Sequence, residues 1–124
     1  MKRIEQLKQI KKAFQDMREP LKDAIYADIG RNKQASELLE IDTIIAFINH
    51  HLSNLKSYMK DLYCDPTILF VPSVCKIQYE PLGVALIISS WNYPLFTSIK
   101  PLVSCICAGN CAIIKPSELG PSSS

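Results

Sequence analysis

Apolar residues recur every three or four positions through residues 4–59, and beyond residue 66 the spacing shortens to that of strands. Ile4, Leu7, Ile10, Phe14 and Met17 draw one stripe on a first helix. Glu19-Pro20 interrupts it, and because proline is tolerated in a helix's first turn, Pro20 is expected to open a second helix. Leu21, Ala24, Ile25 and Ile29 give that helix its buried face, and Gly30 closes it. Leu38, Ile41, Ile45, Ile48, Leu52, Leu55 and Met59 predict a third, longer helix starting near Ser36, in a region that Asp65-Pro66 ends. Each helix is apolar on one side only, so all three must pack on something.

From Thr67 onward, TILFVPSV and CKIQY are short and rich in β-branched and aromatic residues, and Pro72-Ser73 joins them. They predict a two-stranded meander, with Pro72 restricting the ladder to an edge or a bend. Leu82–Ile88 is nearly continuous apolar strand, the pattern of a sheet covered on both faces. Phe96–Ala108 reads as a helix despite Pro101, Gly109-Asn110 ends it, and Cys111–Lys115 is the next apolar strand. The predicted fold class is therefore α/β: N-terminal helices over residues 1–65, an edge β-meander over 66–80, and from 81 to 124 the opening βαβ unit of a larger domain. The closing Gly-Pro-Ser-Ser-Ser reads as a loop within that larger domain.

Composition narrows the partners. Of the 124 residues 48% are hydrophobic, which suits a globular chain, and 14 basic residues nearly balance 12 acidic ones. With a net charge of +2 and no basic stripe, nucleic acid is not an expected partner. MKRIEQLKQIKKAF has charges at every turn and is not a signal peptide. Val84–Ile88 and Cys111–Ile114 fall far short of the ~18 apolar residues of a membrane helix. A cytoplasmic location is expected, with an anchor beyond Ser124 left open. The five cysteines, Cys64, Cys75, Cys105, Cys107 and Cys111, are read as reduced.

The chemistry-bearing residues cluster at two strand exits. Strands joined by one helix run parallel, so their carboxyl ends share an edge of the sheet, and ligands of open α/β sheets bind beyond that edge. Ser89-Ser90-Trp91-Asn92-Tyr93-Pro94 follows the first strand and Lys115-Pro116-Ser117-Glu118 the second. Asn92, Lys115 and Glu118 are thereby expected near one pocket. A rigidly held Asn amide donates to a developing oxyanion. A Glu accepts from ribose hydroxyls, and a Lys donates to ribose or phosphate oxygens. The four glycines (30, 83, 109, 120) are scattered and form no G-x-G-x-x-G, so the usual dinucleotide fingerprint is absent.

EPLGV, I-I-x-x-WNYP and AGN-x-x-x-x-KPSE, in this order and spacing, resemble the aldehyde dehydrogenase superfamily, and WNYP after EPLGVxLII is most similar to its class 3 or fatty-aldehyde branch. The match is strong over Glu80–Glu118, while RIEQLKQI and AIYADIGRNKQASELLEI resemble the family's N-terminal helices more loosely. That family oxidises aldehydes to carboxylic acids with NAD or NADP, and it too lacks the Gly-rich turn. The resemblance implies that Asn92 is an oxyanion-hole amide. It implies that Ile88, Ser89 and Trp91 line the nicotinamide side, mostly through backbone, and that the Lys115-Pro116-Ser117-Glu118 exit holds the adenosine ribose. Glu118 would disfavour a 2′-phosphate, giving a mild preference for NAD. A homodimer and a fatty or aromatic aldehyde substrate are likewise implied. The family's nucleophilic cysteine, general-base glutamate and Gly-Ser-Thr turn have no counterpart before Ser124, so these residues alone are expected to be inactive.

Blander readings stand beside these. In isolation Asn92 is better read as a turn residue before Tyr93-Pro94, and only the full motif reverses that. Lys115–Glu118 alone is an ordinary strand exit, with Ser117 a helix start. His50-His51 and the Cys105, Cys107, Cys111 set read as packing, and no metal site is expected. The charges of residues 1–34 read as a solvated helix face. The rival function is a non-catalytic remnant, at most a weak nucleotide-binding or subunit-association module. A small helical scaffold with an incidental α/β tail accounts for the helices only.

Overall fold

In the computed structural model, which describes residues 2–124, the helices come first. α1 (Lys2–Asp16) buries Leu7 and Phe14, with Ile4 and Ile10 packed beside them. Its predicted stripe stops short of Met17, which is exposed. α2 (Arg18–Ile29) starts two residues before Pro20, which therefore sits in the first turn, where a missing N–H costs no helical bond. It ends at Gly30, whose φ of 65° turns its N–H back to Tyr26 O.

The third predicted helix departs most from its apolar spacing. It begins at Asn32, not Ser36, because Asn32 Oδ1 accepts from Gln34 N at 2.8 Å and caps α3 (Lys33–Ser36). A π-helical turn, Glu37–Asp42, then leads into α4 (Thr43–Tyr58). The wider turn spends extra residues per revolution and rotates the side chains that precede α4 relative to those that follow. Leu38, expected on the buried face, is 66% exposed, whereas Glu40 is 0% exposed. Ile41, Ile44, Ile48 and Leu55 are fully buried, and Met59 has left the stripe.

β1 (Leu62–Cys64) pairs antiparallel with β2 (Cys75–Ile77), in the register Leu62↔Ile77 and Cys64↔Cys75. The expected hairpin is thus present with a different first strand. Within 67–74, Ile68–Phe70 is instead a 3₁₀ turn, with Phe70 N bonding Thr67 O at 2.8 Å. Pro66 and Pro72 bracket that stretch and leave too few donors for a ladder, so the partner comes from before Pro66. All five cysteines are free thiols.

β3 (Val84–Ile88), α5 (Pro94–Ala108) and β4 (Cys111–Lys115) form the βαβ unit, with β3 and β4 parallel. Leu82 lies outside the strand. α5 ends at Gly109, whose φ is 88°, and Asn110 N returns to Cys105 O at 3.0 Å. A Cβ at Gly109 would meet the Arg3 guanidinium at 2.2 Å, a side-chain end that can move aside, so it is the positive φ that favours glycine there. α5 packs on α1 and α4 as well as on the strands. Leu7, Phe14, Ile25, Ile41, Ile44, Ile48, Leu55, Leu95, Val103 and Cys107 form one buried cluster spanning the helical segment and the crossover helix. The continuous apolar pattern of β3 predicted cover on both faces, but among the described residues only the α5 side has it.

Candidate functional site at the strand exits

The register sets Ile88 opposite Lys115, and Ser89 N donates to Lys115 O at 3.1 Å. Both strands therefore leave the sheet at one edge, as the topology predicts. Ser89 is buried beneath that edge, while Ile88 projects from the uncovered face and Trp91 is half exposed.

Asn92 sits in a corner braced at several atoms. Thr97, on the first turn of α5, donates through Oγ1 to Tyr93 O at 2.8 Å and accepts from Ser90 N at 3.2 Å. Ser90 Oγ donates to Asn92 Oδ1 at 2.7 Å. With its amide oxygen so engaged, the exposed Asn92 side chain keeps Nδ2 as a donor. Beside it lies a cavity of about 450 Å³ lined by Leu39, Thr43, Ser90, Asn92, Tyr93, Phe96 and Thr97. Leu39 and Thr43 reach it from the π turn and the start of α4, and periodicity gave no sign of either.

Glu40 is the functional residue that the sequence reading missed. Its Oε2 accepts from Leu95 N at 2.9 Å and Phe96 N at 3.0 Å, the first free amides of α5. Pro94 has no N–H, and Tyr93 makes no side-chain cap, so a carboxylate from a distant helix does the capping. Glu40 Oε1 pairs with Arg31. Arg31 in turn donates to Asn92 O and lies over the Tyr93 ring, 4.2 Å from its centroid. One signal was available: Glu40, Ile44 and Ile48 share an i, i+4, i+8 face, so an acid stands in phase with buried residues.

The reading of residues 1–34 as a solvated charged face holds for Glu5, Lys8, Lys12 and Asp16 but is corrected for three cations. Arg31 serves the corner, Arg18 pairs with Glu37 and with Asp42 at 2.8 Å, and Lys22, itself buried, reaches Glu19 at 2.6 Å and Glu37 at 3.2 Å. Hydrogen bonds from Arg18 and then Lys22 hold the Glu37 carboxyl below the usual carboxylate range. These pairs tie α2 to the π turn and so fix the helical platform under the corner.

Beyond β4, Lys115 and Glu118 pair with each other in solvent, and the Lys115 hydrogen bond holds the Glu118 carboxyl below its ordinary value. Asn92 and this pair thus share an edge without touching. Ser117 opens a turn, not a helix: its Oγ accepts from Leu119 N at 3.3 Å and its carbonyl from Gly120 N at 3.2 Å. Asp28 of α2 then accepts from Ser122 N at 3.0 Å and Ser123 N at 2.8 Å.

Of the cysteines near the sheet, Cys105 and Cys107 are buried on α5 as the packing reading expects, whereas Cys111, at the start of β4, is exposed and corrects it. Burial pushes the Cys107 thiol up, with Arg3 working only partly against it, and Cys105 Sγ donates to Cys111 O at 3.3 Å. Among the described residues no group of three or more His, Cys, Asp or Glu side chains forms a metal-holding cluster. No described helix is long and apolar enough to cross a membrane.

Comparison with known proteins agrees with this geometry. A model described as aldehyde dehydrogenase family matches residues 1–124. The chain is 39% identical over 117 residues to aldehyde dehydrogenase family 3 member B3 of Mus musculus, covering 94% of this chain and 24% of that protein. It is 39% identical over 119 residues to a 4,4'-diaponeurosporen-aldehyde dehydrogenase of Staphylococcus aureus, covering 96% of this chain and 26% of that protein. A substrate-bound state of Staphylococcus aureus AldH superposes with a TM-score of 0.95 at 38% identity, over 98% of this chain and 26% of that one. The putative aldehyde dehydrogenase PutA of Anabaena variabilis gives 0.84 at 30% identity, over 98% and 25%. The chain spans about a quarter of the length of the relatives it matches. By the family model along its whole length and by these identities, the chain belongs to the aldehyde dehydrogenase family.

Proposed function

We propose that the polypeptide carrying these residues oxidises aldehydes to carboxylic acids with a nicotinamide dinucleotide, and that Asn92 is an oxyanion donor in that reaction. The observation that carries this reading is the bonding of Asn92. Ser90 donates to its amide oxygen and Arg31 to its backbone carbonyl, so the exposed Asn92 side chain keeps Nδ2 as a donor. A preorganised amide of this kind stabilises charge as it develops on a carbonyl oxygen under nucleophilic attack. The nucleophilic cysteine and the general-base glutamate lie outside these residues in this reading.

The residues at the second exit suit the cofactor. Glu118, ionised and exposed, offers acceptors to the vicinal hydroxyls of an adenosine ribose, with Lys115 and Ser117 as donors beside it. Its charge disfavours a 2′-phosphate, so NAD is preferred to NADP. Ile88, Ser89 and Trp91 line the nicotinamide side. The bound dinucleotide supplies the hydride acceptor. Leu39, Tyr93 and Phe96 make the neighbouring cavity largely apolar, which supports a fatty or aromatic aldehyde as substrate. The helices up to Tyr58 serve as the platform, the hairpin of β1 and β2 as a subunit contact and residues 81–124 as the start of the cofactor domain. The apolar side chains exposed on the hairpin, among them Ile68 and Leu69, support a homodimer. A cytoplasmic location suits five free thiols.

The test is turnover of fatty and aromatic aldehydes by the complete polypeptide, followed by NAD(P)H absorbance. Asn92→Ala is expected to lower kcat by about 10²–10³-fold with little change in NAD affinity. Equal losses in kcat and in NAD affinity, or no turnover by the unmutated protein, would sink the assignment.

A further inference from the structure

We infer that Glu40 and Arg31 are positioning residues for Asn92, and that the inward-turned Glu40 makes the N-terminal helices part of the catalytic apparatus. The inference rests on the oxyanion role proposed for Asn92. Glu40 is wholly buried, and a buried carboxylate persists only when its acceptor sites are filled. Its partners are the Leu95 and Phe96 amides and Arg31. These are the groups that set where α5 starts and where residues 92–93 lie.

Arg31 completes the chain of contacts. Its guanidinium is largely buried and uses separate nitrogens for Glu40 and for the Asn92 carbonyl, while its flat face lies on Tyr93. A planar fork performs these tasks together, and an ammonium does not. The Asn92 peptide is therefore held from below by Arg31, its side-chain oxygen is held by Ser90, and Tyr93 is held by Thr97 and by stacking. Catalytic groups must sit within about 0.5 Å of their productive place, and a displacement of about 1 Å costs as much as 10²-fold. The π turn acquires a purpose in the same way. It carries Glu40 on the buried side of the corner and Leu39 on the wall of the cavity beside Asn92.

Two conservative variants separate this role from mere stability. In Glu40→Gln one amide oxygen still caps Leu95 and Phe96, but the NH2 group meets Arg31 donor to donor. In Arg31→Lys the charge for Glu40 remains, while the fork to Asn92 and the stacking on Tyr93 are lost. Both are made in the complete polypeptide, alone and combined with Asn92→Ala, and folding is checked by thermal melting. Each single variant is expected to lower kcat about 10- to 100-fold, with aldehyde KM and NAD affinity within about twofold of the unmutated protein. Combined with Asn92→Ala, neither is expected to lower kcat further, because both act through that side chain. Unchanged kcat in the folded single variants overturns the inference, and so does an equal fractional loss with and without Asn92. If Asn92→Ala itself leaves kcat unchanged, the oxyanion reading fails, and this failure is distinguishable from the others. Should Glu40→Gln not fold, Arg31→Lys alone decides the question by the same comparison.

Discussion

Two carboxylate–cation pairs stand at the carboxyl edge of the same small sheet, and they live in opposite surroundings. Under the start of α5, Glu40 is fully enclosed and Arg31 nearly so, and apart from their pairing with each other every polar contact they make holds a piece of backbone. Beyond β4, Lys115 and Glu118 hold only each other, with side chains 55% and 77% exposed. The first pair has exchanged water for fixed partners and cannot be rearranged without loss. The second gives up its partner cheaply, since solvent replaces it at either end. Burial thus divides the two pairs within one edge: the enclosed pair braces the corner that carries Asn92, and under the proposed function the open pair meets the cofactor.

The largest expected effect that breaks this contrast is Glu40→Ala. It leaves a buried guanidinium and two helix amides without partners, and a loss of about 3–5 kcal/mol in unfolding free energy is predicted by denaturant titration. A value near zero would mean that the enclosed pair is as dispensable as the open one. Acidification acts next. Glu37, between Arg18 and Lys22, titrates below its unfolded value, so its contribution is complete above the ordinary carboxylate pKa. That contribution is lost as pH falls through the depressed folded value. Melting temperature is predicted to drop over that acid window, and Glu37→Gln should flatten the drop. An identical slope in the variant would exclude Glu37 as its source. The smallest effect on stability belongs to Glu118→Gln. Its melting temperature should match the unmutated protein at moderate salt, while discrimination against NADP in steady-state kinetics weakens. A marked fall in melting temperature with selectivity unchanged would reverse the contrast.

Much of this arrangement was legible in the sequence, and what was not has identifiable causes. α1, α2 and the body of α4 follow a strict three-and-four spacing, and β3–α5–β4 announces itself by apolar runs around a proline-led helix. The shared edge followed from topology alone, and the Trp-Asn-Tyr-Pro and Lys-Pro-Ser-Glu exits leave the sheet there together. The π turn did not show, because side-chain periodicity assumes a constant number of residues per turn. That assumption misplaced Leu38, whereas Glu40 was passed over because it is an acid, although it stands in phase with the buried Ile44 and Ile48. β1 was missed for another reason: three exposed residues have no alternation to read, and two prolines decided the pairing. Lys22 and Arg31 looked solvated because their partners lie on other elements.

The carboxylate beneath α5 also bears on how a dinucleotide can lie here. In most sheets of this topology the amides at the start of the first crossover helix cradle a pyrophosphate, and glycines let it approach the chain. At this strand exit the amides of Leu95 and Phe96 already have an internal anion, and it is enclosed by protein. A phosphate arriving there would meet a filled cradle of its own charge. The segment from Ser89 to Pro94 can accordingly dispense with glycine and spend its positions on tryptophan, asparagine and tyrosine. By filling its own phosphate cradle, the chain frees the first strand exit to carry large and polar side chains in place of glycines.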